Sequence, residues 1–221
     1  MNKRIKGLSP RKKASGLYQL EIVLDGTKPP VWRRLLVRGD ASLGLLHAVF
    51  QVAMGWTNSH LHHFFIGRER YTDLTTIEEP NFGPFSDHDE AKTILAEAVP
   101  REKTRFLYEY DFGDSWEHLV TVERIIWRDE PFEGIAQCLE GSRACPPDDC
   151  GGIGGYADLL KIIKNPKHKE YKAMMEWLGR KFDPEAFDVG KINTYLRKLK
   201  WPRTTDPQLA KILMARDGYS K

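Results

Sequence analysis

Apolar and polar residues alternate along the first half of the chain, which is the pattern of half-buried β-strands. Residues 17–25 (LYQLEIVLD) alternate at period two, and the turn-forming residues 26–30 separate them from a second such run at 31–37. Two further strands are predicted, one over residues 60–66 and a short one around residues 70–71. The strands follow one another closely, which favours an antiparallel arrangement, because parallel strands need long crossover connections.

A helical period interrupts the strands after residue 40. Six apolar residues recur at spacings of three and four and predict one face of a three-turn amphipathic helix: Leu43, Leu46, Val49, Phe50, Ala53 and Met54. Asp40 or Ser42 can cap its start, and Gly55 can adopt the left-handed conformation that ends helices. Residues 73–90 are rich in Asp, Glu, Pro and Gly and predict a long surface loop, followed by a short helix over 91–98.

Residues 106–122 (FLYEYDFGDSWEHLVTV) predict a β-hairpin around which the fold is organised. The length of its loop decides which side chains share a face, because a slip of one residue moves a whole set to the other side. A two-residue loop would place two acids, a tryptophan and a histidine together, as a catalytic or metal site requires: Glu109, Asp111, Trp116 and His118.

A three-residue loop would instead pair Phe112 with Trp116 and Tyr110 with His118. The aromatic side chains would then line one face and the acids the other. Burying an unpaired carboxylate costs several kcal/mol, whereas each buried aromatic side chain stabilises the fold by roughly 2 kcal/mol. We therefore favour the odd-length loop, in which His118 is a hydrogen-bonded residue of the core and the nearby carboxylates satisfy backbone N–H groups of the turn.

The second half of the chain changes from turn-rich to helical. Residues 128–155 are rich in turn formers, and helices are predicted over 156–163 and 169–178, after a start signal at Asp183-Pro184, after Asp188, and over 208–215. Strands first, one early helix and a C-terminal helical cluster predict an α+β fold with a mostly antiparallel sheet.

Charge is unevenly distributed. Residues 1–16 contain six basic residues and no acid: Lys3, Arg4, Lys6, Arg11, Lys12 and Lys13. The rest of the chain therefore has 34 − 6 = 28 basic and 31 acidic residues, a net charge of −3. A disordered basic tail can bind a phosphate backbone through salt-sensitive contacts, or it can simply be a solvated terminus.

Three cysteines on the turn-rich segment are a candidate zinc site. Cys138, Cys145 and Cys150 could converge on Zn²⁺ if a fourth ligand joined them, although their spacing is not that of a two-residue knuckle. The alternative is three ordinary reduced thiols. No apolar run approaches the ~18 residues of a membrane span, and no secretory signal is evident, so the expected location is the cytoplasm. The run GGIGG at 151–155 lacks the lysine of a phosphate-binding loop and indicates a flexible connector.

Histidines and acids offer a second candidate site. His60 and His62 would share a face of a strand, and with Asp111, Asp114 and His118 they could hold a metal ion for hydrolysis. The alternative is that these histidines are packing or edge residues. Spacing along the sequence does not fix their distances in the fold.

Five segments make the chain resemble the plasmid pRiA4b ORF-3-like family: PPVWRRLLV at 29–37, LLHAVFQVAMGW at 45–56, HLHHF at 60–64, YEYDFGDSWEH at 108–118 and ACPPDDCGGIGGY at 144–156. The resemblance covers about residues 17–200, with the basic tail before it and residues 201–221 as a C-terminal extension. It implies an α+β fold and an association with plasmids and mobile elements, and it supplies no catalytic residues. Trp116, His118, Asp111, Asp114, His60, His62, Cys145 and Cys150 stand at its motif positions.

Two functions follow as expectations. The first is a non-enzymatic binding module for nucleic acid or a protein partner, based on the basic tail and on the lack of a recognised catalytic motif. The second is a metal-dependent hydrolase that uses the His/Asp cluster.

Overall fold

An eight-stranded sheet forms the centre of the molecule in the computed structural model, which describes residues 16–76, 85–128 and 130–217. The strands are β1 (Leu17–Leu24), β2 (Val31–Arg38), β3 (His62–Ile66), β4 (Glu69–Thr72), β5 (Ser86–Asp89), β6 (Arg105–Tyr110), β7 (Trp116–Ile126) and β8 (Ala136–Ser142). Their order across the sheet is β5-β4-β3-β6-β7-β1-β2-β8. Every neighbouring pair of these described strands is antiparallel except β4 and β5.

Helices follow the order that the sequence predicts. They are α1 (Leu43–Met54), α2 (Leu95–Ala98), α3 (Gly152–Lys164), α4 (Tyr171–Leu178), α5 (Val189–Leu196) and α6 (Asp206–Asp217). The predicted α+β fold, with one early helix and a C-terminal helical group, is confirmed. The start signal at Asp183-Pro184 is wrong, because these residues lead into a turn, whereas Asp188 caps α5 as predicted by accepting from Lys191 N at 2.8 Å.

Helix α1 lies at the centre of the core. Ser42 Oγ accepts a hydrogen bond from Leu45 N at its start, and Gly55 ends it with φ +118°. The structure buries every residue of the helix except Gly44, not only the predicted apolar face. The C-terminal part of the chain accounts for the difference, since α5 contacts α1 and buried residues of α6 join the same core cluster.

Two buried arginines hold the C-terminal end of α1. Arg33 donates from Nε to Ala53 O at 2.8 Å, and Arg216 of α6 donates to the carbonyls of Gln51, Gly55 and Trp56 at 2.9–3.0 Å. The last carbonyls of a helix have no partner within it and carry a partial negative charge, so cations at this end are stabilising.

The central hairpin has an odd-length loop, as we favoured, but the loop contains five residues, 111–115. Tyr110 pairs with Trp116 and Tyr108 with His118, so the predicted pairing of Phe112 with Trp116 is wrong. Asp111 leaves the strand with φ +61°, and its carbonyl accepts from Ser115 N to close the turn. Phe112 consequently remains 47% exposed, while the other aromatic residues of the predicted inner face are buried.

Two other predictions need correction or lie outside the structure. The turn-rich segment 128–155 contains β8, and the predicted loop 73–90 contains the edge strand β5, while its residues 77–84 lie outside the described part. The basic residues of the predicted tail, at 3–13, also lie outside it. None of the described helices has the length and apolar character that a bilayer crossing requires.

Candidate functional site

A cleft of about 880 Å³ opens beside the N-terminal half of α1. Its walls come from α1, the segment 58–62, the segments 73–76 and 89–94, and residues 201–209 at the start of α6. The cleft thus lies where the sheet, the central helix and the C-terminal extension meet.

A closed hydrogen-bond network joins the floor of the cleft to the core. Gln51 Nε2 donates to Tyr108 Oη at 2.9 Å, so the hydroxyl hydrogen of Tyr108 is left for Nδ1 of His47, also at 2.9 Å. His47 Nε2 then donates to Asn58 Oδ1 at 2.6 Å, and Asn58 N donates back to Gln51 Oε1 at 2.8 Å. Every polar atom in the ring has a partner, which fixes the tautomer of His47.

His62 stacks on His47 with ring centroids 3.4 Å apart and an interplanar angle of 6°. Burial lowers the pKa of both imidazoles to about 3, so they are neutral at physiological pH. Stacking of two imidazolium rings would be repulsive, and His62 further lowers the pKa of His47 for this reason.

Glu90 completes the floor of the cleft. Its Oε2 lies 2.8 Å from His62 Nε2, and its side chain is only 8% exposed. Burial, together with the negative charges of Asp73, Asp89 and Asp206, raises the pKa of Glu90 to about 7, while His47 acts in the opposite direction. A carboxyl group that shares a proton with an imidazole near neutral pH can accept or donate a proton at the bottom of a cleft.

The lining of the cleft is acidic. It contains five carboxylates and two basic side chains: Asp40, Asp73, Asp89, Glu90 and Asp206, with Lys92 and Arg203. Asp40 is paired with Arg38, and Asp89 with Lys92 at 2.9 Å. Within the described parts of the chain, no lysine or arginine forms an ion pair with Asp73, Glu90 or Asp206.

A second polar cluster lies at the rim of the cleft, where His60 lines it. His60 Nε2 is 3.5 Å from Asp111 Oδ2 and 3.2 Å from Asp149 Oδ1. These three ligand atoms all lie within 4.8 Å of one another, the only such group of three in the described residues. The structure thus places His60 near Asp111, two residues of the hypothesised site, and Asp149 is a partner that the sequence did not indicate.

Three loops build this rim cluster. Asp111 begins the hairpin turn, and its Oδ1 accepts from Gly113 N at 3.0 Å, which directs Oδ2 towards His60. Asp114 Oδ2 accepts from Gly151 N at 3.0 Å and so ties the turn to the loop that carries Asp149. That loop needs glycine, because a Cβ on Gly152 would lie 2.6 Å from the carbonyl oxygen of Asp114.

The remaining predicted site residues are dispersed. His118 and Trp116 are fully buried in the aromatic core, and His62 faces Glu90 and not the rim cluster. The five residues of the predicted hydrolytic site therefore do not form one centre. Asp114 shapes a loop contact, in line with the expectation that the turn carboxylates satisfy backbone N–H groups.

The three cysteines are free thiols. They do not form a group whose sulfur atoms all lie within 4.8 Å of one another, as judged over the ranges that the structure describes. Burial raises the pKa of Cys138 to about 11 and that of Cys150 to about 12, and it also raises the pKa of Cys145. The zinc prediction consequently has no support from the placement of these residues.

Sequence reasoning missed His47 and Glu90. His47 and Gln51 are polar residues four positions apart in an otherwise apolar helix, and such a pair on one helical face is a signal of a buried polar network. Glu90 belonged to the segment that was predicted to be surface loop, and nothing in its local sequence indicates burial.

Three comparisons with known proteins agree with this architecture. The model of the plasmid pRiA4b ORF-3-like protein family matches residues 16–191, and the chain therefore belongs to that family. The uncharacterized protein y4hQ of Sinorhizobium fredii (strain NBRC 101917 / NGR234) is 35% identical over 198 residues, which are 86% of this chain and 96% of that protein. The crystal structure of MM3350 from Methanosarcina mazei Go1, a protein of unknown function, matches with a TM-score of 0.70 at 33% identity and covers 81% of this chain and 98% of that chain.

Proposed function

We propose that this chain is a binding protein for a small organic cation, such as a di- or polyamine, which enters the cleft beside α1. The observation that carries the proposal is the convergence of Asp73, Glu90 and Asp206 on one cavity with no basic partner for them among the described residues.

Charge argues against an anionic ligand in this cavity. A phosphate or nucleotide entering the cleft would meet five carboxylates and only two basic side chains. Like charges at close range in a partly desolvated site cost more than they do in water, because the effective dielectric is lower. A nucleic acid would therefore have to bind at another surface.

Distance argues against a bare metal ion in the same place. The cleft carboxylates do not form a group of three ligand atoms within 4.8 Å, since only the rim cluster does so among the described residues. Negative charge spread along a cavity suits an extended cation with separated amino groups. The polar walls offer further acceptors for the N–H groups of such a ligand through the hydroxyl groups of Ser59 and Thr204.

The proposal is tested by titration calorimetry of the tag-free protein with putrescine, agmatine and spermidine, and with glutarate as an anionic control at equal ionic strength. We expect saturable binding of at least one amine and none of glutarate. Glu90→Gln, which keeps the shape of the side chain, should weaken amine binding about tenfold, the loss expected for one charged hydrogen bond. Glu117→Gln, an exposed acid on β7, is the matched control and should bind as the wild type does.

The dependence on pH adds a second readout. The pKa of Glu90 is about 7, and the groups that face it are His62, His47, Asp73, Asp89 and Asp206. An amine binds better to the carboxylate than to the neutral acid, so its affinity should rise up to about tenfold between pH 6 and pH 8. Absence of binding by all three amines at millimolar concentration, or equal binding by Glu90→Gln, contradicts the proposal.

A further inference from the structure

We propose that His60, Asp111 and Asp149 form a binding site for a divalent transition-metal ion, with Mn²⁺ and Zn²⁺ as the ions that suit it. The site lies at the rim of the cleft and does not depend on the organic cation proposed above. Its residues come from three different loops that the fold brings together at one point.

The distances from His60 Nε2 to the two carboxylates are those of metal ligands, and the carboxylate oxygens lie within 4.8 Å of each other. Ligands bound at about 2.0–2.2 Å in tetrahedral or octahedral geometry lie about 3.0–3.5 Å from one another. His60 Nε2 is 3.5 Å from Asp111 Oδ2 and 3.2 Å from Asp149 Oδ1. An ion between these atoms would reach all three without a large movement of the backbone.

The other histidine–carboxylate pairs of this protein have a different geometry. His62, His63 and His88 each contact a glutamate at 2.6–2.8 Å, as directly hydrogen-bonded pairs do. His60 Nε2 stands further from both of its carboxylates, and it is a buried atom without a hydrogen-bond partner among the described residues. His62, His63 and His88 thus form close imidazole–carboxylate pairs. In the rim cluster, by contrast, the imidazole and the two carboxylates are spaced so that an ion could lie between them.

Buried polar atoms nearby support the same conclusion. Asp148 Oδ1, next in sequence to Asp149, is also buried without a hydrogen-bond partner in the described parts, while Oδ2 of the same carboxylate accepts from Thr57 N at 3.2 Å. The side chain of Asp111 is only 7% exposed. Buried polar atoms are almost always satisfied in proteins, and a bound ion is one of the few ways in which such a cluster becomes satisfied.

The donor atoms select the kind of ion. One imidazole nitrogen and two carboxylate oxygens suit Mn²⁺, Fe²⁺ or Zn²⁺ better than Mg²⁺ or Ca²⁺, which favour oxygen ligands alone. Three protein ligands also leave coordination positions for water or a substrate, as catalytic sites do and closed structural sites do not.

The test is titration of tag-free protein, first stripped with a chelator, with MnCl₂ and separately with ZnSO₄. Free Mn²⁺ is followed by electron paramagnetic resonance and heat by calorimetry. We expect one Mn²⁺ per chain and a nitrogen modulation from a coordinated imidazole in the echo spectrum. His60→Ala and Asp149→Asn should each weaken Mn²⁺ binding at least thirtyfold, and His60→Ala should abolish the nitrogen modulation.

Controls separate this site from the other candidates. His88→Ala removes a half-exposed histidine with a carboxylate partner far from the cluster and should leave Mn²⁺ binding unchanged. Mn²⁺ avoids thiolates, so its binding cannot be attributed to the cysteines. Asp149 is 70% exposed on a loop, so Asp149→Asn should keep the wild-type melting temperature even if His60→Ala does not.

Two results would overturn the proposal: no binding of either ion at millimolar concentration, or wild-type affinity in both His60→Ala and Asp149→Asn. Amines are absent from these titrations, so failure here leaves the cleft proposal standing, and failure of amine binding leaves this one standing.

Discussion

His118 and His60 pack against the same aromatic hairpin but occupy opposite environments. His118 lies in the core, where its Nδ1–H donates to Tyr108 O at 3.2 Å and its Nε2 accepts from Trp56 Nε1–H, also at 3.2 Å. His60 lies at the hairpin turn, where its Nε2 has no hydrogen-bond partner among the described residues and faces two carboxylates. Both imidazoles pack against an aromatic ring of the hairpin, Tyr108 or Tyr110.

The difference shows how a structural histidine can be distinguished from a candidate ligand. His118 has a partner for each ring nitrogen, so it has no capacity left for an ion or a substrate. The Nε2 atom of His60 has no hydrogen-bond partner among the described residues, and it faces a point on which two carboxylate oxygens also converge. Residue type and motif position do not separate the two, whereas the count of satisfied hydrogen bonds does.

The largest expected effect comes from removing a buried aromatic side chain next to His118 in the core. Trp116 is fully buried against Trp56, with ring centroids 5.2 Å apart, whereas Phe112 in the turn is 47% exposed and stacks on His63. Trp116→Ala should lower the free energy of unfolding by about 3–5 kcal/mol, because it leaves a cavity that cannot fully collapse. Phe112→Ala should cost less than about 1 kcal/mol.

Urea denaturation of both variants, followed by circular dichroism, checks this prediction. Equal losses in the two variants would mean that the turn is as much a part of the core as the strands are, and the distinction between the strands and the turn of the hairpin would fail.

The second-largest expected effect is a loss of stability in acid that comes from the buried histidine His118. Burial lowers the pKa of His118 to about 4, whereas an unfolded histidine titrates near 6.5. As pH falls from 6.5, the unfolded chain binds a proton that the folded chain does not, so stability is lost between about pH 6.5 and pH 4. The contribution of His118 to this loss is about 3 kcal/mol.

Over the same pH range, other buried groups change the stability of the fold, some lowering it and one raising it. His47 and His62 have pKa values lowered to about 3 and destabilise the fold in acid as His118 does, while Glu90, with its pKa raised to about 7, opposes them by taking up its proton first in the folded state. Urea denaturation at pH 7, 5.5 and 4 should therefore show a net loss, and His118→Gln should remove about 3 kcal/mol of the difference between pH 7 and pH 4. An unchanged difference in that variant would place the acid sensitivity elsewhere.

The core of this fold was more predictable than the site because the two obey different constraints. Period-two and period-3.6 patterns locate β1, β2 and α1, since burial of one face is a local property of the sequence. The parity of the hairpin loop follows from the same argument, because burying Tyr108, Tyr110 and Trp116 requires it. Its length does not, because no local pattern indicates that the strand ends at Asp111, where φ is +61°.

The sites depend on contacts between distant segments. The carboxylates of Asp111 and Asp149 lie 3.5 and 3.2 Å from His60 Nε2, although up to 89 positions separate these residues in sequence. Asp149 carries no local signal of a binding site, and Glu90 lies in a segment that the sequence predicts to be a surface loop. A carboxylate becomes a candidate ligand only when the fold shows what surrounds it, and no local pattern contains that information.

The smallest expected effect on either histidine environment is that of removing the basic tail. Deletion of residues 1–15 keeps Gly16, whose carbonyl accepts from Gly39 N at 2.8 Å and so belongs to the folded body. The six basic residues at positions 3–13 can neutralise up to six phosphates, so the full chain should bind random duplex DNA at low salt, with a slope of log affinity against log salt of up to about −5.

The shortened chain should lose this binding, because its body is acidic, and should keep its free energy of unfolding within about 0.5 kcal/mol. Gel-shift titrations at several salt concentrations and urea denaturation measure the two quantities. Mn²⁺ and amine titrations of the shortened chain should match those of the full chain, since the described residues of the rim cluster and the cleft all lie at or after position 40. If DNA binding instead survived the deletion, the acidic body would need a basic surface of its own, and the assignment of nucleic acid binding to the tail would be wrong.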